Sequence, residues 1–225
     1  MGQIVEFPSN GSTARGYLAL PEGSGPGVVV IQEWWGLVDH IKDVADRFAR
    51  EGFVALAPDL YHGREATEPD DARKMAMDLE LEDAARDMSG AATFLIEHPR
   101  VEPKRLGAVG FCMGGSLALY LAANGSIAAA SPFYGIPSYV SDYSGLSGPV
   151  LLHLAEHDQG QNPKREGLER AVREAGQDIE VHVYPGTHHG FFNDTTDQYD
   201  PEAAARAWAR TVAFLRQHLG GPGPV

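Results

Sequence analysis

Apolar residues follow two rhythms along this chain, short unbroken runs and longer stretches at helical spacing, and the two alternate through most of its length. Gly27-Val28-Val29-Val30-Ile31 has no polar interruption, the pattern of a strand buried on both faces. From Asp39, a candidate N-cap, Ile41, Val44, Ala45 and Phe48 share one helical face, and Gly52 closes the helix. Phe53 to Ala57 predicts the next strand, and His62 to Pro69 a polar loop. Met77, Leu81, Ala84, Ala85, Met88, Ala92 and Leu95 predict a long helical region with a break near Glu82-Asp83. Strands follow at Leu106 to Val109, Ile127 to Phe133, Pro149 to Leu154 and Ile179 to Tyr184, the last alternating as an edge strand does. Helices fall between them at Ser116 to Leu121 and Glu166 to Ala175, and a final one runs from Pro201 to Leu219 with Trp208, Val212 and Leu215 on its stripe. Ile4 to Phe7 and Ala14 to Leu20, around Asn10-Gly11, read as an opening hairpin. This alternation predicts an α/β fold with a mainly parallel sheet, helices on both faces and a ligand site beyond the strands' C-terminal ends. One domain over residues 1–219 and a frayed tail at 220–225 are expected.

Composition narrows the function classes. The 225 residues are 43% hydrophobic and 22% charged, as in ordinary globular proteins. A formal net charge of −13 argues against nucleic-acid or anionic-membrane partners. No apolar run resembles a signal peptide or a membrane span, and the lone cysteine, Cys112, excludes an internal disulfide and a multi-cysteine zinc site. A reduced, cytoplasmic enzyme or binding protein is the expectation.

Cys112 lies in Gly110-Phe111-Cys112-Met113-Gly114, between a predicted strand and a predicted helix. Gly-x-nucleophile-x-Gly at such a junction is a nucleophile elbow, here with Cys in place of the usual Ser. The turn puts the sulfur at a helix N-terminus, where free N–H groups and the helix dipole favour a thiolate and then an oxyanion. The competing reading is a buried, inert thiol. A nucleophile needs a base, and the base an orienting acid. Asp158 follows one strand and His189 the next, so Cys112, Asp158 and His189 occur in the chain order of the α/β-hydrolase fold. His188 and Glu156 compete for the base and acid roles. A His157/His188/His189 metal cluster fits no common ligand spacing. The fold rule supplies oxyanion donors from the backbone N–H of Met113 and of Trp34 in Gln32-Glu33-Trp34-Trp35-Gly36. Glu33 ends an apolar strand, where a carboxylate needs a partner unless it faces solvent.

With Gln32-Glu33, Ala57-Pro58-Asp59-Leu60-Tyr61, Gly110-Phe111-Cys112-Met113-Gly114-Gly115, Tyr134-Gly135, Tyr184-Pro185-Gly186 and His189-Gly190-Phe191, the chain resembles the dienelactone hydrolase (carboxymethylenebutenolidase) family. The resemblance implies an α/β-hydrolase fold without a large cap domain, and a Cys-Asp-His triad on Cys112, Asp158 and His189. It also implies a thiol-controlling role for Glu33, and hydrolysis of enol-lactones or esters through an acyl-enzyme, with neither metal nor organic cofactor. Members that cleave dienelactone hold the substrate carboxylate with arginines, one of them four positions after the catalytic histidine, where this chain has Asn193. Arg73 is the candidate for the other clamp. Loss of one charge-assisted contact is worth roughly 1.5–3 kcal/mol. Trp35, Tyr134 and Phe191 are expected to form an aromatic pocket wall. The alternatives are a thioesterase or general small-ester hydrolase and, outside catalysis, a ligand binder or thiol redox sensor. A sensor would lack a second cysteine to resolve an oxidised Cys112. The expected partner is a small ester or lactone, and the expected state a monomer or small homo-oligomer.

Overall fold

The computed structural model describes residues 2–9, 11–125 and 127–220. Eight strands form one sheet: β1 (Gln3–Ser9), β2 (Ser12–Ala19), β3 (Gly25–Ile31), β4 (Val54–Pro58), β5 (Val101–Phe111), β6 (Ala129–Phe133), β7 (Val150–Ala155) and β8 (Ile179–Tyr184). Their order is β1-β2-β4-β3-β5-β6-β7-β8, antiparallel from β1 to β4 and parallel from there to β8. The helices are α1 (Asp39–Arg50), α2 (Pro69–Met77), α3 (Leu81–Glu97), α4 (Met113–Ala123), α5 (Arg165–Glu174) and α6 (Pro201–Leu219). None of those described is long and apolar enough to cross a membrane.

The unbroken apolar runs are buried on both faces because each strand feeds two cores. In β3, Val29 and Ile31 pack with α3 and α4, while Val28 and Val30 pack with α1 and α6. In β4, Val54 and Leu56 face the first core and Ala55 and Ala57 the second, the two-residue period of a strand. β8 covers one edge, and Val183 there is 39% exposed.

Several boundaries depart from the sequence reading. Val38, not Asp39, is the N-cap residue of α1, and Asp39 sits in the first turn, where a carboxylate suits the helix dipole. The break in the long helical region falls at residues 78–80, before Leu81, so Glu82 and Asp83 open the first turn of α3. Met77 ends α2 at 79% exposure instead of joining the core stripe. The expected hairpin forms, but Asn10 lies outside the described residues, as does 221–225 of the expected tail. Gly220, at φ 77°, caps α6 in the left-handed region.

α6 begins on a side-chain cap. The Ala203 N–H donates to Asp200 Oδ1 at 2.8 Å, and the Asp200 N–H donates to the Phe191 carbonyl at 3.0 Å. The helix start is thereby tied to the loop that follows β8. Asp200→Ala should cost about 1 kcal/mol, a Tm lower by about 2–4 °C for a chain of this size. An unchanged melting curve would show that the cap contributes nothing.

Candidate active site

The chain runs from β3 outward to β4, then returns past β3 to β5 and continues outward through β8. Strand order therefore reverses between β3 and β5, and an open α/β sheet places its ligand crevice at such a point. The segments following β3, β5, β6, β7 and β8 carry Glu33, Cys112, Tyr134, Asp158 and His189 in turn, all at the same end of the sheet.

Cys112 joins β5 to α4 with φ 55° and ψ −117°, a strained combination for a residue with a side chain. Its N–H donates to the Phe133 carbonyl at 3.0 Å, and its own carbonyl accepts from Gly115 N–H at 3.0 Å. The flanking glycines are needed for space. A Cβ at Gly110 would run into the Gly114 carbonyl, one at Gly114 into the Ile31 and Gln32 carbonyls, and one at Gly115 would lie 2.6 Å from the Phe133 carbonyl.

Asp158 is buried. Its Oδ1 accepts from the N–H groups of Gly160 and Gln161, both at 3.1 Å, which leaves Oδ2 for His189 Nδ1 at 2.6 Å. Burial opposes the charge on each partner. For Asp158 the bond and charge of His189 outweigh burial and hold the carboxyl below its usual range. For His189 the bonds to Asp158 and Cys112 outweigh it, and the imidazole is pushed up to about 10. His188 is exposed, with its ring 5.0 Å from that of His157, and Glu156 accepts from Gly186 N–H at 2.7 Å. The acid that bonds a histidine beside Cys112 is thus Asp158, and that histidine is His189. Among the described residues no three His, Cys, Asp or Glu side chains gather as metal ligands.

Glu33 is buried, and burial pushes its carboxyl up despite the opposing charge of His40, the bonds from Asn193 and Tyr134, and the charge of His189. Tyr134 Oη donates to Oε1 at 3.2 Å and Asn193 Nδ2 to Oε2 at 2.5 Å. The adjacent Asp194 pairs through Oδ1 with His40 Nδ1 at 2.9 Å. One turn after His189 therefore holds Glu33, just past β3, and His40, in the first turn of α1. That role of Asn193 is not visible in the sequence, where only a run of turn-forming residues, Asn193-Asp194-Thr195-Thr196, marks the place.

A cavity of about 420 Å³ opens over these groups, lined by Glu33, Trp34, Trp35, Cys112, His189 and Asn193, with Thr196, Asp197 and Gln198 along another side. Trp34 and Trp35 meet edge to face, their rings 5.3 Å apart. Trp35 is on the lining, whereas Tyr134 and Phe191 do not line the cavity. Both are fully buried and pack on each other at 5.4 Å, with the Tyr134 ring 4.9 Å from His189, so they support the site from behind. Arg73 is also absent from the lining. It is exposed on α2 and pairs with Asp70 at 3.3 Å, one turn of its own helix away. Met113 follows the elbow, and its sulfur accepts from Tyr61 Oη at 3.6 Å.

Residues 14–219 match the model of the dienelactone hydrolase family. The chain belongs to that family. It is 42% identical to Protein usf of Aquifex pyrophilus, over 97% of this chain and all of that protein. It is 31% identical to a Bradyrhizobium protein named "Probable 2-oxo-3-(5-oxofuran-2-ylidene)propanoate lactonase", over 96% of this chain and 94% of that one. A dienelactone hydrolase-like promiscuous phosphotriesterase from metagenomic libraries superposes with a TM-score of 0.88 at 24% identity, covering 98% of this chain and 99% of that one, and speaks for the fold alone. The chain is accordingly a dienelactone hydrolase-like hydrolase.

The His189 shift has a consequence for the stability of this hydrolase. Its folded value, about 10, lies above the ordinary 6.5, so the fold favours the imidazolium. That contribution is complete below pH 6.5 and is lost as pH rises through about 10. The depressed carboxyl of Asp158 acts at the other end, its contribution fading as pH falls below its ordinary 3.8. The Tm difference between the wild type and His189→Gln should therefore be largest near pH 5–6 and should close toward pH 10. A difference that grows with alkalinity would contradict this assignment.

Proposed function

We propose that the protein hydrolyses carboxylic esters and lactones with Cys112 as nucleophile, His189 as base and acid, and Asp158 as the group that orients His189. The observation that carries this reading is the 2.6 Å bond between His189 Nδ1 and Asp158 Oδ2, beside an elbow cysteine in a cavity. Cys112 Sγ attacks the substrate carbonyl carbon as the thiolate, its proton held on His189. The carbonyl π electrons move to oxygen, and the backbone N–H groups of Met113 and Trp34 stabilise the resulting oxyanion. Collapse breaks the acyl–oxygen bond, and His189 gives its proton to the departing alkoxide or enolate, leaving a thioester on Cys112. Neutral His189 then takes a proton from water, the hydroxide equivalent adds to the thioester, and a second collapse releases the acid and the thiolate. Glu33, fastened by Tyr134 and Asn193, is a positioning residue that fixes the segment bearing Trp34.

Hydrolysis of an aryl acetate by the purified protein should depend wholly on the thiol, with Cys112→Ala lowering kcat/KM by about 10³-fold or more. Acid quenching during turnover should leave an acetyl group on Cys112 detectable by peptide mass spectrometry. Undiminished turnover in Cys112→Ala would overturn the assignment. No ester turnover, together with rapid alkylation of Cys112, would support the thiol-sensor reading instead.

A further inference from the structure

We infer that this cavity selects uncharged esters or lactones carrying a flat apolar group, and discriminates against substrates that bear a carboxylate. The inference rests on the proposed function, since it concerns the substrate of that same site. Among the described residues, none lining the cavity is Lys or Arg, whereas Glu33 and Asp197 both line it. The cationic group at hand, the His189 imidazolium, is committed to Asp158 at 2.6 Å.

Asn193 is equally committed. Its Nδ2 donates to Glu33, and its Oδ1 accepts from both the N–H and the hydroxyl of Thr195, at 3.0 and 2.6 Å. Beyond these bonds it keeps only a second Nδ2–H, and no charge, to meet an incoming anion. A substrate carboxylate would give up hydration without gaining a lysine or arginine partner, and would do so beside Asp197 on a chain of net charge −13. An uncharged ring escapes both penalties and meets the side chains of Trp34 and Trp35 on the lining. The same field acts on the product. Ester cleavage creates a carboxylate inside the cavity, and the surroundings that reject an anionic substrate also favour departure of the acid. Selection of this kind is built from repulsion as much as from attraction.

The test uses two acetate esters with the same reacting centre, 4-acetoxybenzamide and 4-acetoxybenzoate, each rate divided by that for a small thiol in solution to remove the leaving-group difference. The wild type should prefer the amide by about tenfold or more in kcat/KM at low salt, and the preference should shrink near 0.5 M salt, where screening lengths are only about 4 Å. Gln198→Arg places a cation on the lining without touching Glu33 or the triad, and should raise the rate with the benzoate selectively. Equal rates or a benzoate preference, with turnover still lost in Cys112→Ala, would overturn the charge selection while leaving the hydrolase reading intact. A preference that neither salt nor Gln198→Arg moves would also overturn it, because its origin would not be charge. Loss of neither ester to Cys112-dependent turnover would remove the hydrolase reading and the inference with it.

Discussion

The first turn of α4 lies so close to the ends of β3 and β6 that there is no room for side chains where they meet. Gly114 faces the carbonyls of Ile31 and Gln32, and Gly115 faces that of Phe133. This contact is the constraint on which the site depends. It brings the helix N-terminus up to the strand ends and leaves Cys112 at φ 55°, with its N–H fixed to the Phe133 carbonyl. Strain of that kind costs of order 1–3 kcal/mol and persists only when the surroundings over-determine it. Here the surroundings are the most apolar strands of the sheet, whose alternate residues anchor them in two separate cores.

The two carboxyl groups near the thiol have opposite fates, and their environments explain why. Asp158 receives two backbone N–H groups and an imidazole, so its charged form is the favoured one despite burial. Glu33 is more deeply enclosed and is met by neutral donors, the Tyr134 hydroxyl and the Asn193 amide, so burial dominates and its carboxyl is pushed up. Environments that separate two like groups in this way also separate their tasks. Asp158 can sustain a positive imidazole, while Glu33 serves as a fixed polar joint between two loops.

Strand positions, the elbow and the chain order of Cys112, Asp158 and His189 were legible in the sequence because each follows from local chemistry. β-branched runs report burial on two faces, and glycines flanking a polar residue between strand and helix report a tight turn. What escaped was orientation and long-range partnership. Tyr134 and Phe191 stand at strand ends, as pocket aromatics do, but position along a strand does not say whether a ring faces the crevice or the core. Both face inward. Met77 kept the helical period yet ended a short helix in solvent, because the period cannot report where a helix stops. Asn193 reads as the absence of a cation, and its partner Glu33 is 160 positions away.

That partnership ties specificity to architecture. A positive side chain at position 193 could meet an anionic substrate, but it could also neutralise Glu33, and one group cannot do both at once. With Asn193 the choice is already made. The amide is spent on Glu33 and oriented by Thr195, while the next residue, Asp194, fastens His40. The loop carrying His189 is thereby joined to the segment carrying Trp34 by one neutral amide on one side and a histidine–aspartate contact on the other. An amide holds this joint without charging the cavity, so the geometry around Cys112 can be kept while the site forgoes a binding group for anions. In this chain one uncharged side chain, Asn193, both ties the His189 loop to Glu33 and lines the cavity.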